Sequence, residues 1–508
     1  MNKIKRALIS VYDKNSLSSL IQTLELYQVE IISTGGTKRA LEELGTKVTS
    51  VESLTKYPSI LGGRVKTLHP KIFGGILNRF THKKDAIDMQ NYDILNIDLV
   101  IVDLYPFKKT VKENASENEI IEKIDIGGVS LIRAAAKNYQ DVLVVPSKEY
   151  FQTANKLINL NKGCSNLNDR LLFAQKAFNV TANYDHYISS YFDKKNNSDE
   201  LPATFKQNIL KGKNLRYGEN PHQEGVFYGN LDGVFNQLSG KELSYNNLLD
   251  IDAAVNLMSE FKDTSFGILK HNNTCGFCSN KNLTVAWEKA LAGDPISAFG
   301  GVLITNSDVN LNVAKKIHNL FFEVIIANTY SKGALELLKS KTSRIILKKK
   351  NVNLEDVSFR TILNGVLCQK KDFITDNDNI KLVSSLNVSK NQMIDLIFAS
   401  KICKHTKSNA IVLVKDKQLL ASGCGQTSRV DALKQAILKA KSFGLSLKGS
   451  VMASDAFFPF PDCVEIAHKE GVSAVIQPGG SKNDNLSIDY CDNNGMAMVF
   501  TGNRHFKH

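Results

Sequence analysis

Long hydrophobic runs are the first thing missing. Nowhere in the 508 residues does a stretch approach the roughly 18 consecutive apolar residues that a membrane helix needs. The opening residues, Met1-Asn2-Lys3-Ile4-Lys5-Arg6-Ala7-Leu8, pass into a strand-like segment with neither an apolar signal stretch nor a small-residue cleavage site. The expectation is a cytoplasmic protein with no membrane partner. Cysteine is sparse: Cys164, Cys275, Cys278, Cys368, Cys403, Cys424, Cys463 and Cys491 sit mostly in apolar surroundings, which suggests reduced thiols rather than a disulfide frame. The formal charge is +13, but no arginine-rich stripe and no basic face interleaved with aromatics accompanies it. The charge therefore reads as a lysine-rich surface, and nucleic acid is not an expected partner. A positive field also suits small anions. No tandem repeat of roughly 20 to 50 residues and no low-complexity tail is visible.

What is present is ordinary globular material: 43% of residues are hydrophobic, and the length suits roughly two to four domains. Short apolar runs alternate with helical patterns, the mark of an α/β fold. Residues 7–11, 29–33, 99–102 and 142–145 read as strands and 16–27 as a helix. Later strands are expected at 266–270, 301–305, 411–414, 451–453 and 474–476. The polar run from Asp193 to Glu200 suggests domains over 1–198 and 199–508, with a weaker division near 375–390.

Chemistry-bearing residues fall in clusters. Thr34-Gly35-Gly36-Thr37 stands between a strand and a helix, where glycines admit an oxyanion to backbone amides and a helix start adds positive potential; an ordinary turn is the rival reading. Lys14 follows the first strand. In Leu61-Gly62-Gly63-Arg64-Val65-Lys66-Thr67-Leu68-His69-Pro70, an extended segment would point Arg64 and Lys66 the same way. Asp103-Leu104-Tyr105-Pro106-Phe107 ends a buried strand, where α/β sheets place ligands. Asp125, among apolar residues in Ile124-Asp125-Ile126-Gly127-Gly128-Val129, needs a partner; Arg133 and Lys137 are candidates.

The later half carries Arg216-Tyr217, Lys270-His271-Asn272-Asn273, the loop Ser297-Ala298-Phe299-Gly300-Gly301, Ser408-Asn409, Arg429, Ser454-Asp455-Ala456-Phe457-Phe458-Pro459-Phe460 with Asp462, and the end Arg504-His505-Phe506-Lys507-His508. Arg216 suits a phosphate fork. An arginine and an aromatic so near the end suggest a tail folded back onto the protein. His271, Cys275 and Cys278 loosely resemble a zinc deaminase spacing, but there is no His-x-Glu signature and no second Cys-x-x-Cys. No catalytic metal is expected.

Residues 1 to about 195 resemble the inosine monophosphate (IMP) cyclohydrolase domain, on the set Ser-x-Gly-Gly-Thr, Gly-Gly-Arg-Val-Lys-Thr-Leu-His-Pro, Leu-Tyr-Pro-Phe and Asp-Ile-Gly-Gly-Val. Residues 201 to 508 resemble aminoimidazole carboxamide ribonucleotide (AICAR) transformylase, on Lys-His-Asn-Asn, Ser-Ala-Phe-Gly-Gly, Ser-Asp-Ala-Phe-Phe-Pro-Phe and Arg-x-Phe-x-His. The resemblance implies an α/β protein: a methylglyoxal-synthase-like N-terminal domain, then two cytidine-deaminase-like subdomains, with active sites formed across a homodimer. It places Lys66, Tyr105, Asp125 and Lys137 around a closing ring, with Ser10, Lys14, Thr34, Gly35, Gly36, Thr37, Arg64 and Thr67 at the phosphate. Lys270, His271 and Asn409 would be catalytic in the second half. Arg216, Tyr217, Asn247, Arg429, Phe457, Arg504 and Phe506 would surround the nucleotide, with Asp462 near the folate.

The implied reactions are formyl transfer from 10-formyltetrahydrofolate to AICAR, giving FAICAR, and dehydrative closure of FAICAR to IMP. A transferase with a non-catalytic, nucleotide-sensing first domain is the alternative. Asp103 and Tyr12 depart from the family pattern, which more often has Asn and Ser there; a carboxylate at 103 would repel an anion unless it is paired or protonated.

Overall fold

The computed structural model describes residues 1–196, 201, 203–210, 212–376 and 379–508. Contacts divide the chain into two units, Met1–Leu210 and Lys211–His508. The division expected at 198/199 lies outside the described residues.

In the first unit five strands form one parallel sheet: β1 (Arg6–Val11), β2 (Glu30–Ser33), β3 (Val48–Ser50), β4 (Leu99–Asp103) and β5 (Leu143–Val145), in the order β3-β2-β1-β4-β5. Strands covered on both faces need near-continuous apolar sequence, and Ala7, Leu8, Ile9, Val100 and Ile101 are fully enclosed. Around the sheet lie helices α1 (Ser18–Leu26), α2 (Gly35–Glu43), α3 (Gly127–Lys137) and the long α4 (Leu167–Asn196). The chain runs outward from β1 to β3, then returns to β4 on the other side of β1. That reversal opens a crevice at the carboxyl ends of β1 and β4, where the Tyr12 amide donates to the Asp103 carbonyl at 3.1 Å.

The second unit holds a 12-stranded sheet. Its first half comprises β6 (Phe235–Ser239), helix α5 (Tyr245–Ser259), the hairpin β7 (Ser265–Lys270) and β8 (Asn273–Ser279), then α6 (Leu283–Gly293), β9 (Gly301–Thr305), α7 (Leu311–His318), β10 (Phe322–Ala327), α8 (Lys332–Lys339) and β11 (Ile345–Lys349). The second half repeats that order: β12 (Lys381–Leu382), α9 (Lys390–Lys404), the hairpin β13 (Ile411–Lys415) and β14 (Gln418–Gly423), α10 (Arg429–Ser442), β15 (Val451–Ser454), α11 (Asp462–Lys469), β16 (Ala474–Gln477), α12 (Asp484–Asn493) and β17 (Ala497–Phe500).

The sheet runs β6-β11-β10-β9-β7-β8-β14-β13-β15-β16-β17-β12, so the halves mirror one another about the β8–β14 seam, where Cys278 pairs with Gln418. Each half is two antiparallel strands followed by three parallel ones, capped by one antiparallel edge strand. These are the two related α/β subdomains that the resemblance implied. Cys275 and Cys278 sit in or against the core of the first half, and burial pushes their thiols up to about 12 and about 11. Among the described residues no group of three or more His, Cys, Asp or Glu is placed to hold a metal.

Candidate active sites

The first site lies at the carboxyl ends of β1 and β4. Thr34 is the N-cap of α2 in extended conformation, so the first amides of α2 have no intrahelical acceptor and face outward. Ser10 and Thr34 hydroxyls are 3.3 Å apart, and the Lys14 side chain lies over this turn: a Cβ built on Gly36 would stand 3.9 Å from Lys14 Cε. Hydroxyls, amides and an ammonium together make an anion cradle. Thr37 has a different task, because its hydroxyl is buried and bonded at 3.1 Å to both the amide and the carbonyl of Val11. It fastens the start of α2 to β1.

The segment after Leu61 is not extended. Leu61–Gly63 is a 3-10 turn that continues through Arg64, so Arg64 and Lys66 diverge. Arg64 is exposed and pairs with Glu122. Lys66 is half-buried, folds back toward Gly63, and acts electrostatically on Asp125. Its ammonium has no hydrogen-bond or ion-pair partner among the described residues. The Thr67 hydroxyl abuts the start of α3, within 2.8 Å of where a Cβ on Gly127 would lie.

Asp125 is satisfied by backbone rather than by Arg133 or Lys137. Its Oδ1 accepts from the Gly128 amide at 2.7 Å, and the Tyr105 amide also bonds it. Burial still outweighs these bonds and the Lys66 charge, raising its pKa above the ordinary carboxylate value. Arg133 instead stacks on Phe178. Lys137 closes α3, about 15 Å along the helix axis from its start, and does not join Asp125 within one chain. Tyr105 stands edge-on to Tyr12 at 5.7 Å and forms one wall of a cavity of ≈ 540 Å³.

The Asp103 carboxylate is paired, and so does not confront the anion cradle as a bare charge. It accepts from the Asp13 amide at 3.1 Å and the Lys148 amide at 3.2 Å, and burial raises its pKa. Glycine 128 is indispensable by geometry: a Cβ there would lie 2.6 Å from Asp125 Oδ2. Gly128→Ala displaces the carboxylate, and a misplacement of that size is expected to slow chemistry at this site about a hundredfold. Rates at both sites check it, since only the first should fall.

In the second unit, His271 and Asn272 form the turn between β7 and β8. Both have left-handed backbones, φ 51° and 63°, as a two-residue type I′ hairpin turn requires. Non-glycine residues rarely adopt this conformation, and such strain collects at functional sites. The turn is held by Asp250, whose Oδ1 accepts from the Asn272 amide at 2.6 Å. Sequence reasoning missed Asp250; nothing marks it beyond a carboxylate on an otherwise ordinary helix. The His271 ring is exposed and without a hydrogen-bond partner among the described residues.

Lys270 Nζ donates to the Phe299 carbonyl at 2.6 Å, bringing the Ser297–Gly301 loop beside the histidine. That loop is anchored by Asp294, which accepts from the Ser297 amide at 2.8 Å and pairs with Lys439 at 2.5 Å. The segment carrying Asn409 is near the turn too, the Lys407 amide lying 3.5 Å from Asn273 Oδ1. Asn409 Nδ2 donates to the carbonyls of Gln426 and Thr427 at 2.9 and 3.2 Å. Its free group is therefore the oxygen, an acceptor.

Phe506 lies between two guanidinium groups, Arg504 at 4.3 Å and Arg429 at 5.8 Å from its ring centroid. Arg429 also pairs with buried Asp455 at 3.2 Å. Phe457 and Phe506 are partly exposed. Arg216 is exposed, its guanidinium 5.6 Å from the Tyr217 ring centroid. Asp462 begins α11, its Oδ1 accepting from the Cys463 amide. Asn247 is buried, its side-chain amide engaged by Ser244 in a capping box and by Glu323, which commits it to the start of α5.

The tail does fold back. The Lys507 amide donates to Ser408 Oγ and Lys507 Nζ to the His405 carbonyl, while His505 sits between Asp372 at 2.6 Å and Asp376 at 3.2 Å. Burial alone would lower the His505 pKa; the two carboxylates outweigh it and raise it from 6.5 to about 9. A raised pKa means that the folded form holds the proton more tightly. The resulting stability is complete below 6.5 and fades as pH climbs through about 9. The melting temperature should fall across that window, and His505→Gln should flatten the fall.

These features describe a two-site α/β enzyme for small phosphorylated substrates. A family model described as the AICARFT/IMPCHase bienzyme matches residues 135–439, and one described as an MGS-like domain matches residues 16–130. Among similar curated proteins is the bifunctional purine biosynthesis protein PurH of Bacteroides thetaiotaomicron, 57% identical over 507 residues, covering 100% of this chain and 99% of that protein. The proteins of that name from Aquifex aeolicus and Persephonella marina are 45% and 44% identical, each over 99% of this chain and 100% of theirs. The chain belongs to the AICARFT/IMPCHase bienzyme family. It is a bifunctional enzyme that carries out the last two steps of IMP biosynthesis, formylation of AICAR and closure of FAICAR to IMP, and the reading of the first domain as a mere sensor is not favoured.

Proposed function

We propose that the two activities divide along the chain, ring closure in the first unit and formyl transfer in the second. The observation that carries this is the grouping of Lys66, Tyr105 and Asp125 beside the anion cradle of Ser10, Lys14, Thr34, Gly35 and Gly36. With the phosphate held there, and Arg64 and Thr67 at its rim, the carboxamide nitrogen of FAICAR meets the formyl carbon of the same molecule. Positioning supplies most of the rate, since the nucleophile is already attached. The C–N bond forms as the carboxamide nitrogen gives up one proton to Asp125 or through Tyr105, and Lys66 stabilises the oxyanion; the C–O bond then breaks as the oxygen takes that proton and the one released by the formamido nitrogen, and leaves as water.

In the second unit, His271 takes the proton of the AICAR amine as that amine attacks the formyl carbon of 10-formyltetrahydrofolate. Lys270 protonates the departing folate nitrogen or steadies the tetrahedral oxyanion. Asn409 presents its oxygen to the amine or to the imidazole. Arg216, Tyr217, Arg429, Phe457, Arg504 and Phe506 hold the nucleotide, and Asp462 with the Ser297–Gly301 loop borders the folate. The working form is a cytoplasmic homodimer, an assembly that sedimentation at micromolar concentration measures directly.

Mixing two disabled proteins tests the division. Lys66→Ala and His271→Asn each yield little IMP alone from AICAR and the formyl donor. Together they yield it again, because FAICAR released by the first is closed by the second. If either substitution abolishes both reactions on supplied substrates, or Lys66→Ala still closes supplied FAICAR at the wild-type rate, the division fails.

A further inference from the structure

We propose that Lys123 is a positioning residue of the ring-closing site, one that holds and electrostatically biases Tyr105. The proposal rests on the reading that Tyr105 moves a proton there. The Lys123 ammonium stands 5.6 Å from the Tyr105 ring centroid and 5.5 Å from that of Tyr12, against two rings that meet edge to face at 83°. One side chain therefore braces both aromatics that line the crevice between β1 and β4.

Its placement is enforced from behind. The Tyr184 hydroxyl, on α4, donates to the Lys123 carbonyl and accepts from the Asp125 amide, so one buried phenol pins the backbone on both sides of Ile124. The Lys123 ammonium near its ring and the Asp125 carboxylate thereby bring opposite charges to the same phenol. The groups around Tyr105 include Asp125, Tyr184, Tyr12 and Lys123, with Lys66 beside Asp125 and Lys14 near Tyr12; Asp103, Lys108 and Glu149 line the same cavity, and Lys123 itself also acts on Glu119. Burial, then the Asp125 carboxylate, then Tyr12, raise the Tyr105 hydroxyl above its ordinary value. A cation on the ring opposes that rise, since it favours the phenolate. The bland alternative is a lysine whose stem merely covers aromatic surface. That role would survive any straight-chain replacement and leave proton transfer untouched.

The test is the pH profile of ring closure on supplied FAICAR, for wild type, Lys123→Gln, Lys123→Arg, Tyr105→Phe and the double variant Lys123→Gln/Tyr105→Phe. Lys123→Gln should move the limb governed by Tyr105 to higher pH by about one unit and lower kcat about tenfold, with KM little changed. Lys123→Arg should restore both, which separates the charge from any folding defect. In the Tyr105→Phe background the glutamine change should add nothing, because its route of action is gone. If Tyr105→Phe removes the limb but Lys123→Gln leaves it in place, or acts only on KM, the proposal is overturned while the role of Tyr105 stands. If Tyr105→Phe leaves the profile intact, the reading of Tyr105 fails and the proposal fails with it.

Discussion

Replacing His271 by asparagine lowers formyl transfer about a thousandfold and leaves closure of supplied FAICAR at the wild-type rate. Asparagine is the informative substitution because His271 has φ 51° in a two-residue turn. Asparagine tolerates that left-handed backbone far better than alanine does, so the hairpin, its Asp250 anchor and the neighbouring Lys270 keep their places. What is lost is the imidazole. The AICAR amine is conjugated with its ring and carboxamide and is a weak nucleophile, so attack needs its proton removed as the bond forms. No other base is positioned on this turn: Lys270 bonds the Phe299 carbonyl and Asp250 faces the Asn272 amide. Initial rates of tetrahydrofolate release measure the effect. A loss of less than about tenfold would assign the base elsewhere.

Asp125→Asn produces the complementary phenotype: ring closure falls by about a hundredfold or more while formyl transfer persists. The amide keeps an oxygen to accept from Gly128, so the start of α3 and the Gly-Gly backbone remain in place, while the charge, the capacity to take a proton and one of the two acceptor oxygens disappear. The pH dependence sharpens the prediction. Burial holds the Asp125 carboxyl above its usual 3.8, so the proton-accepting form is lost as pH falls through a value higher than that of an ordinary aspartate. The wild-type ring-closing rate should show that acid limb, and the asparagine variant should lack it. A limb unchanged in Asp125→Asn would mean that another group carries the proton.

Much of this was legible in the residues. The central strands of the first sheet are uninterrupted apolar runs, and the segments expected at 7–11, 29–33, 99–102 and 142–145 match β1, β2, β4 and β5 to within a residue or so. β3 was invisible because Val48–Ser50 is a half-buried edge strand of three residues with no apolar run. The duplication in the second unit was implied by the family resemblance but left no residue repeat, because it resides in the order of elements and not in residues recurring at a fixed spacing.

Candidate site residues stood out where a motif concentrates rare chemistry, as at Lys270-His271 or Asp125-Ile126-Gly127-Gly128. Orientation was not legible. An extended reading aligned Arg64 with Lys66, but the glycines before them form a turn that separates the two. Partners chosen for Asp125 by charge, Arg133 and Lys137, gave way to backbone amides presented by a helix start. Asp103, a concern when seen as a bare carboxylate, is held by two amides that no sequence pattern advertises. Lys123 and Asp250 likewise matter through neighbours distant in sequence.

The most direct test of the central claim is to give the purified protein AICAR and 10-formyltetrahydrofolate and to follow tetrahydrofolate and IMP separately in one reaction. The account predicts that both appear, IMP trailing tetrahydrofolate by the lifetime of FAICAR and far exceeding the uncatalysed closure. Tetrahydrofolate forming while IMP stays at the uncatalysed background would contradict it, leaving the first unit a domain that binds the nucleotide without closing its ring.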